Sequence, residues 1–77
     1  MPTVIIEGFK FRFYTTDRNE PRHFHVLRDR KVAKIWLESF TVERNNGYRE
    51  AEISKIVRLT RENQARLREA WDDYFNR

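Results

Sequence analysis

The chain has no cysteine among its 77 residues, only two glycines and two prolines, and no long apolar run. Without cysteine it can form neither disulfides nor thiolate metal ligands, which excludes a stapled secreted mini-protein and a cysteine-based zinc module. Two glycines are too few for the phosphate-cradling loops of nucleotide-binding folds. No P-loop, dinucleotide fingerprint, His-Glu-x-x-His pair or Ser-His-Asp order occurs. No stretch nears the ~20 apolar residues of a membrane span, and the opening residues lack a basic segment followed by a hydrophobic one. The expectation is a soluble cytoplasmic protein without membrane contact.

What the chain does have is eleven aromatic side chains, Phe, Tyr and Trp together, and a net charge of +4. A domain this small buries only about 60% of its unfolded surface, so large rings, at roughly 150–250 Å² each, must supply much of the core. The excess charge is unevenly placed. Residues 1–34 carry eight Lys or Arg against four Asp or Glu, and residues 35–77 carry eight against eight. A basic N-terminal half is the footprint of anion or nucleic-acid contact, and it is equally a common solubility device.

The hydrophobic period changes once, from two to about 3.6, which divides a single domain, 1–77, into a sheet half over 1–43 and a helical half over 48–76. Strands are predicted over 3–7, 9–15, 23–27 and 32–37, with a short fifth over 40–43 ahead of the turn residues Arg44-Asn45-Asn46-Gly47. Residues 15–21 read as a polar loop and 28–31 as a tight turn. From Arg49 to Phe75 one broad apolar face runs at helical spacing, with Glu50 and Glu52 in the first turn where the helix dipole favours acids. A straight helix of that length would reach about 40 Å, more than the ~30 Å diameter of a small domain. It must bend near Leu59–Asn63, with Thr60 as a candidate cap, or overhang the sheet. The fold class is α+β: a four- or five-stranded antiparallel sheet covered on one face by a long C-terminal helix, straight or bent.

Strand alternation then sorts the side chains. If Phe9, Phe11, Phe13, Phe24, Val26, Ala33, Ile35 and Leu37 face the helix, the open face carries Lys10, Arg12, Tyr14, His23, His25, Lys34 and Trp36. Cations and rings on an open sheet suit single-stranded RNA, with Tyr14 and Trp36 stacking on bases and Lys10, Arg12, Arg22 and Lys34 meeting phosphates. A one-residue slip in any strand would scramble this face.

His23 and His25 are the only histidines, two apart on one strand and so on one side of it. Three readings compete. As general base and acid they would exchange protons with a ribose 2′-hydroxyl and the leaving oxygen of a phosphodiester. As metal ligands they would need a third group, from Glu20 or Asp17. As structural residues they would pack against Trp36 and bond the Pro21 turn. No metal or other cofactor is required by the sequence. The Trp71, Tyr74 and Phe75 cluster at the helix end either closes the core of the monomer or docks a second subunit or partner.

In order along the chain, Met1-Pro2-Thr3-Val4, Phe11-Arg12-Phe13-Tyr14, Glu20-Pro21-Arg22-His23-Phe24-His25-Val26, Ala33-Lys34-Ile35-Trp36-Leu37 and Asn46-Gly47-Tyr48 precede a helix with Glu62-Asn63, Leu67, Trp71, Tyr74 and Phe75. This series resembles the small bacterial proteins of the domain of unknown function 4160 family. Such proteins usually show two prolines before the first histidine; here the second position is Arg22. The resemblance implies a gene neighbour encoding another small protein and a toxin-antitoxin style pairing. Together the two lines of reasoning lead to an RNA-interacting component of such a pair, with ribonuclease activity centred on His23 and His25. The rival is a non-enzymatic module that dimerises or docks its neighbour's product through the C-terminal helix.

Overall fold

The computed structural model describes residues 2–76. Five antiparallel strands form one meander in the order β1 (Thr3–Ile6), β2 (Phe9–Arg12), β3 (His23–Arg28), β4 (Lys31–Trp36) and β5 (Val42–Asn46). Two helices follow, α1 (Glu50–Glu62) and α2 (Gln64–Phe75), and a short 3-10 helix, Thr15–Asn19, interrupts the run between β2 and β3. Residues Glu7 and Gly8 both adopt positive φ, 48° and 85°, the backbone of a two-residue hairpin turn whose twist matches the flanking strands.

Every residue expected to face the helices does so. Phe9, Phe11, Phe13, Phe24, Val26, Ala33, Ile35 and Leu37 are all buried, together with Ile56, Leu59, Leu67, Trp71 and Phe75 from the helices. Register explains it: Phe11 lies opposite Val26 and Val26 opposite Ala33, so one face is apolar across three strands.

The helix bends where its length required. Glu52 accepts the Arg49 N–H at 3.1 Å, which closes the first turn of α1. Asn63 breaks the helix with ψ at 19°, and its side-chain amide donates to the Leu59 carbonyl at 2.8 Å. Two segments of 13 and 12 residues fit a molecule whose longest extent is 34 Å; a straight 27-residue helix at about 1.5 Å per residue would not. Thr60 does not cap the second segment. Its hydroxyl, fully buried, donates back to the Ile56 carbonyl at 2.7 Å, a bond that competes with the helix ladder and favours bending.

Three sequence expectations are corrected. The second strand ends at Arg12, because the chain turns into the 3-10 helix instead of continuing to residue 15. The fifth strand is Val42–Asn46, so the sheet extends past residue 43. Arg44, Asn45 and Asn46 have turn propensity, yet pairing with Lys34, Ala33 and Val32 outweighs it. The reversal moves earlier, to residues 38–41, where Phe40 takes φ 61° and donates its N–H to the Trp36 carbonyl.

Tyr48 secures the sheet-to-helix junction. Asn45 Oδ1 accepts its N–H, Asn45 Nδ2 donates to its carbonyl, and its own buried hydroxyl donates to the Val26 carbonyl at 2.9 Å. Burial, aided by the Glu52 charge, pushes the phenol up to about 12. A phenol whose folded value is raised contributes stability fully present below its unfolded value near 10. That contribution is lost as the pH climbs through about 12. Alkaline unfolding therefore sets in above about pH 10 and is weaker in Tyr48→Phe, which should cost about 1 kcal/mol at neutral pH for the lost bond, measurable by urea denaturation.

Candidate functional site

The open face is organised in rows across the strands. Arg12 lies opposite His25, His25 opposite Lys34 and Lys34 opposite Arg44, with Thr3 completing the row beside Arg12. From Arg12 to Arg44 is three inter-strand steps, about 14 Å at ~4.8 Å each. The next row places exposed Lys10 opposite Leu27. A shallow groove of about 310 Å³ lies here, lined by Gly8, Lys10, Arg12, Leu27, Arg28 and Asp29. Three cations thus face one groove. Arg44 is a member of the row that the sequence reading missed, because it placed that residue in a turn. The Asn45-x-x-Tyr48 spacing was the available signal, since an asparagine bonding three residues ahead marks where a strand ends.

Lys34 differs from its neighbours. Its ammonium lies 3.1 Å from Glu20, 3.2 Å from Glu43 and 4.7 Å from the centre of the Trp36 ring. Burial works against the charge, but the bonds to Glu20 and Glu43 outweigh it and hold the amine above its ordinary pKa. Arg22 leaves the open face altogether. Its guanidinium grips Asp72 of α2 through two bonds, 2.8 and 3.0 Å, and lies 3.6 Å from Glu38, which in turn pairs with Arg68. Arg22 thus clamps the segment leading into β3 to α2, and the phosphate contact expected of it is corrected, because Asp72 and Glu38 already occupy its guanidinium.

The histidines project from the same side of β3, their rings 5.3 Å apart. They are not equivalent. His23 is 0% exposed, enclosed by Trp36 at 5.2 Å and Trp71 at 5.3 Å, whereas the His25 side chain keeps 23% of its surface and packs on Tyr14 at 5.0 Å. The Nδ1 of His23 is 2.9 Å from the Pro21 carbonyl, which only accepts, so Nδ1 carries the proton. The packing against Trp36 and the bond to the Pro21 turn expected of a structural histidine are both present, and burial keeps the His23 ring from direct contact with a nucleotide.

Asp17 completes the cluster. The 3-10 helix carries it onto both rings: its Oδ2 lies 3.3 Å from His23 Nε2 and 3.5 Å from His25 Nε2, and accepts the Tyr14 N–H at 2.9 Å. These three side chains offer one ligand atom each, all within 4.8 Å of one another. Of the two acids named from sequence, Glu20 takes the other side, 4.0 Å from His23 Nδ1 and paired with Lys34. Burial holds His25 below the ordinary imidazole pKa; Asp17 opposes this, and the Lys34 charge adds to it.

At the helix end, Trp71 and Phe75 lie within the chain's own core, both against Phe13. Tyr74, 44% exposed, is the one ring of the three left at the surface. The expected partner interface of Trp71, Tyr74 and Phe75 is corrected accordingly: Trp71 and Phe75 close the chain's own core, and only Tyr74 stays exposed. No helix among the described residues is long and apolar enough to cross a membrane.

No curated protein and no solved structure matches the chain. Residues 8–72, which run from β2 into α2 and include Asp17, both histidines and the basic row, match the family model described as Domain of unknown function (DUF4160), and since that span takes in most of the 77 residues the chain belongs to this family.

Proposed function

We propose that the open sheet face binds single-stranded RNA, with Lys10, Arg12 and Arg44 on phosphates and Tyr14, His25 and Trp36 beside bases. The observation that carries this reading is the register that lines Arg12, His25, Lys34 and Arg44 across adjacent strands, flanked by Tyr14 and by the Lys10–Arg28 groove. Phosphates need positive charge spread over several ångströms, and bases need exposed ring faces; a sheet with one face buried supplies both on a rigid support. Lys34, paired with two carboxylates, contributes less charge than its position suggests and instead holds the Trp36 ring. With His23 enclosed, binding rather than cleavage by an imidazole pair is the role supported. Such a surface suits one member of a toxin-antitoxin-like pair, in which a small partner protein covers the face that RNA uses.

The test is a titration of the labelled protein with short single-stranded RNA, followed by amide and imidazole NMR shifts at low and then moderate salt. Salt-sensitive shifts are expected at Lys10, Arg12, Tyr14, His25, Trp36 and Arg44. A face that stays silent while α1 or α2 responds would overturn the reading.

A further inference from the structure

The geometry points to a divalent transition-metal site formed by Asp17 Oδ2, His23 Nε2 and His25 Nε2, taking zinc or a cation of similar size and softness. This does not rest on RNA binding. Because Nδ1 of His23 donates to the Pro21 carbonyl, Nε2 is the nitrogen whose lone pair a cation can take. It lies 3.3 Å from a carboxylate oxygen, and His25 Nε2 lies 3.5 Å from the same oxygen. Both Nε2 atoms are buried and accept no hydrogen bond from any described residue. Two ring nitrogens turned onto one carboxylate oxygen, all hardly reached by solvent, need something positive between them, a proton carried on a ring or a cation.

The two separations from Oδ2, 3.3 and 3.5 Å, are longer than ordinary hydrogen bonds and match the about 3.3–3.4 Å between ligand atoms on a tetrahedral ion with bonds of about 2.0–2.1 Å; all three atoms lie within 4.8 Å of one another, so the imidazoles would close on a bound ion. Two imidazoles and one carboxylate are a donor set that borderline cations accept and that leaves a coordination position for water or a phosphate oxygen. The surrounding bonds are those a metal site requires: the Pro21 carbonyl fixes the His23 tautomer, and the Tyr14 N–H orients Asp17. The rings of Trp36, Trp71 and Tyr14 hold the imidazoles from the sides.

The experiment is calorimetric titration of the untagged full chain with Zn²⁺, repeated with Asp17→Asn and His25→Ala, and Co²⁺ absorption to read the coordination geometry. Asparagine keeps an oxygen for the Tyr14 N–H, and His25 is part-exposed, so both variants retain the fold, as an amide spectrum verifies. One Zn²⁺ per chain is expected, with ring-nitrogen shifts at both histidines, a tetrahedral Co²⁺ spectrum and a Kd about 100-fold or more higher in either variant. Unchanged ring-nitrogen spectra at saturating Zn²⁺, or binding that survives both substitutions, overturns the site; the first result leaves a proton carried on a ring. Neither result bears on the salt-dependent amide shifts that report RNA.

Discussion

Trp71→Ala should unfold much of this domain's stability margin, at a cost of about 3–5 kcal/mol. Trp71 is fully buried and meets Phe75 at 4.8 Å, Phe13 at 4.9 Å and His23 at 5.3 Å, so it joins α2 to the residue just after β2 and to the start of β3. Two close-packed neighbours that are themselves large rings cannot collapse into the space left, and the cavity adds to the lost transfer energy. A 77-residue chain has roughly 4–12 kcal/mol in total at the usual per-residue stability. The urea midpoint should fall steeply, and the melting temperature by at least about 12 °C. Trp71→Phe should be much milder. The indole N–H has no hydrogen-bond partner among the described residues, and phenylalanine removes that buried donor while keeping a ring. Unchanged melting in Trp71→Ala, together with loss of an oligomer, would restore the helix end as an interface.

The paired charge reversal Arg12→Glu and Arg44→Glu should reduce affinity for a short single-stranded RNA by about 100-fold at low salt, at ~1.5 kcal/mol for each charged contact. The two residues lie at opposite ends of one row, exposed or half-exposed, and neither contributes a core side chain. Arg12 gives up a bond to the Thr3 hydroxyl at 3.1 Å, a surface contact of small value. Stability should therefore change by less than about 1 kcal/mol while binding collapses. The dependence on salt gives the second reading: each phosphate contact on a single strand adds about −0.7 to the slope of log K against log salt, so removing two should flatten it by about 1.4. Equal affinity and an equal slope, measured by fluorescence anisotropy, would show that RNA, if bound, lies elsewhere.

The two predictions divide the molecule along the line that strand alternation drew. Phe9, Phe11 and Phe13 alternate with Lys10, Arg12 and Tyr14, and a period-two pattern can serve only one buried face, so the core and the open face were both readable. The helix bend was readable from arithmetic, since 27 residues outreach a small domain. A fifth strand was readable over 40–43, but its course through Asn46 was not, because Arg44-Asn45-Asn46 looks like a turn until pairing with β4 is known; hydrogen bonds to a neighbouring strand outweigh local propensity. Arg22 was misplaced for a similar reason. Its partner Asp72 is 50 residues away, and no local rule announces an ion pair at that separation.

The sequence by itself determined the class of fold, which side of each early strand is buried, that two imidazoles share one side of β3, and that positive charge gathers on the sheet half. These follow from covalent geometry and from period, which are properties of neighbouring residues. Only the tertiary structure decided that His23 is enclosed while His25 is reachable, that Trp71 and Phe75 seal the core, and that Asp17 rather than Glu20 faces both ring nitrogens. Burial and ligand geometry depend on where a 3-10 turn and a distant helix come to rest against the sheet. That is settled by the packing of the whole chain, which no single segment encodes.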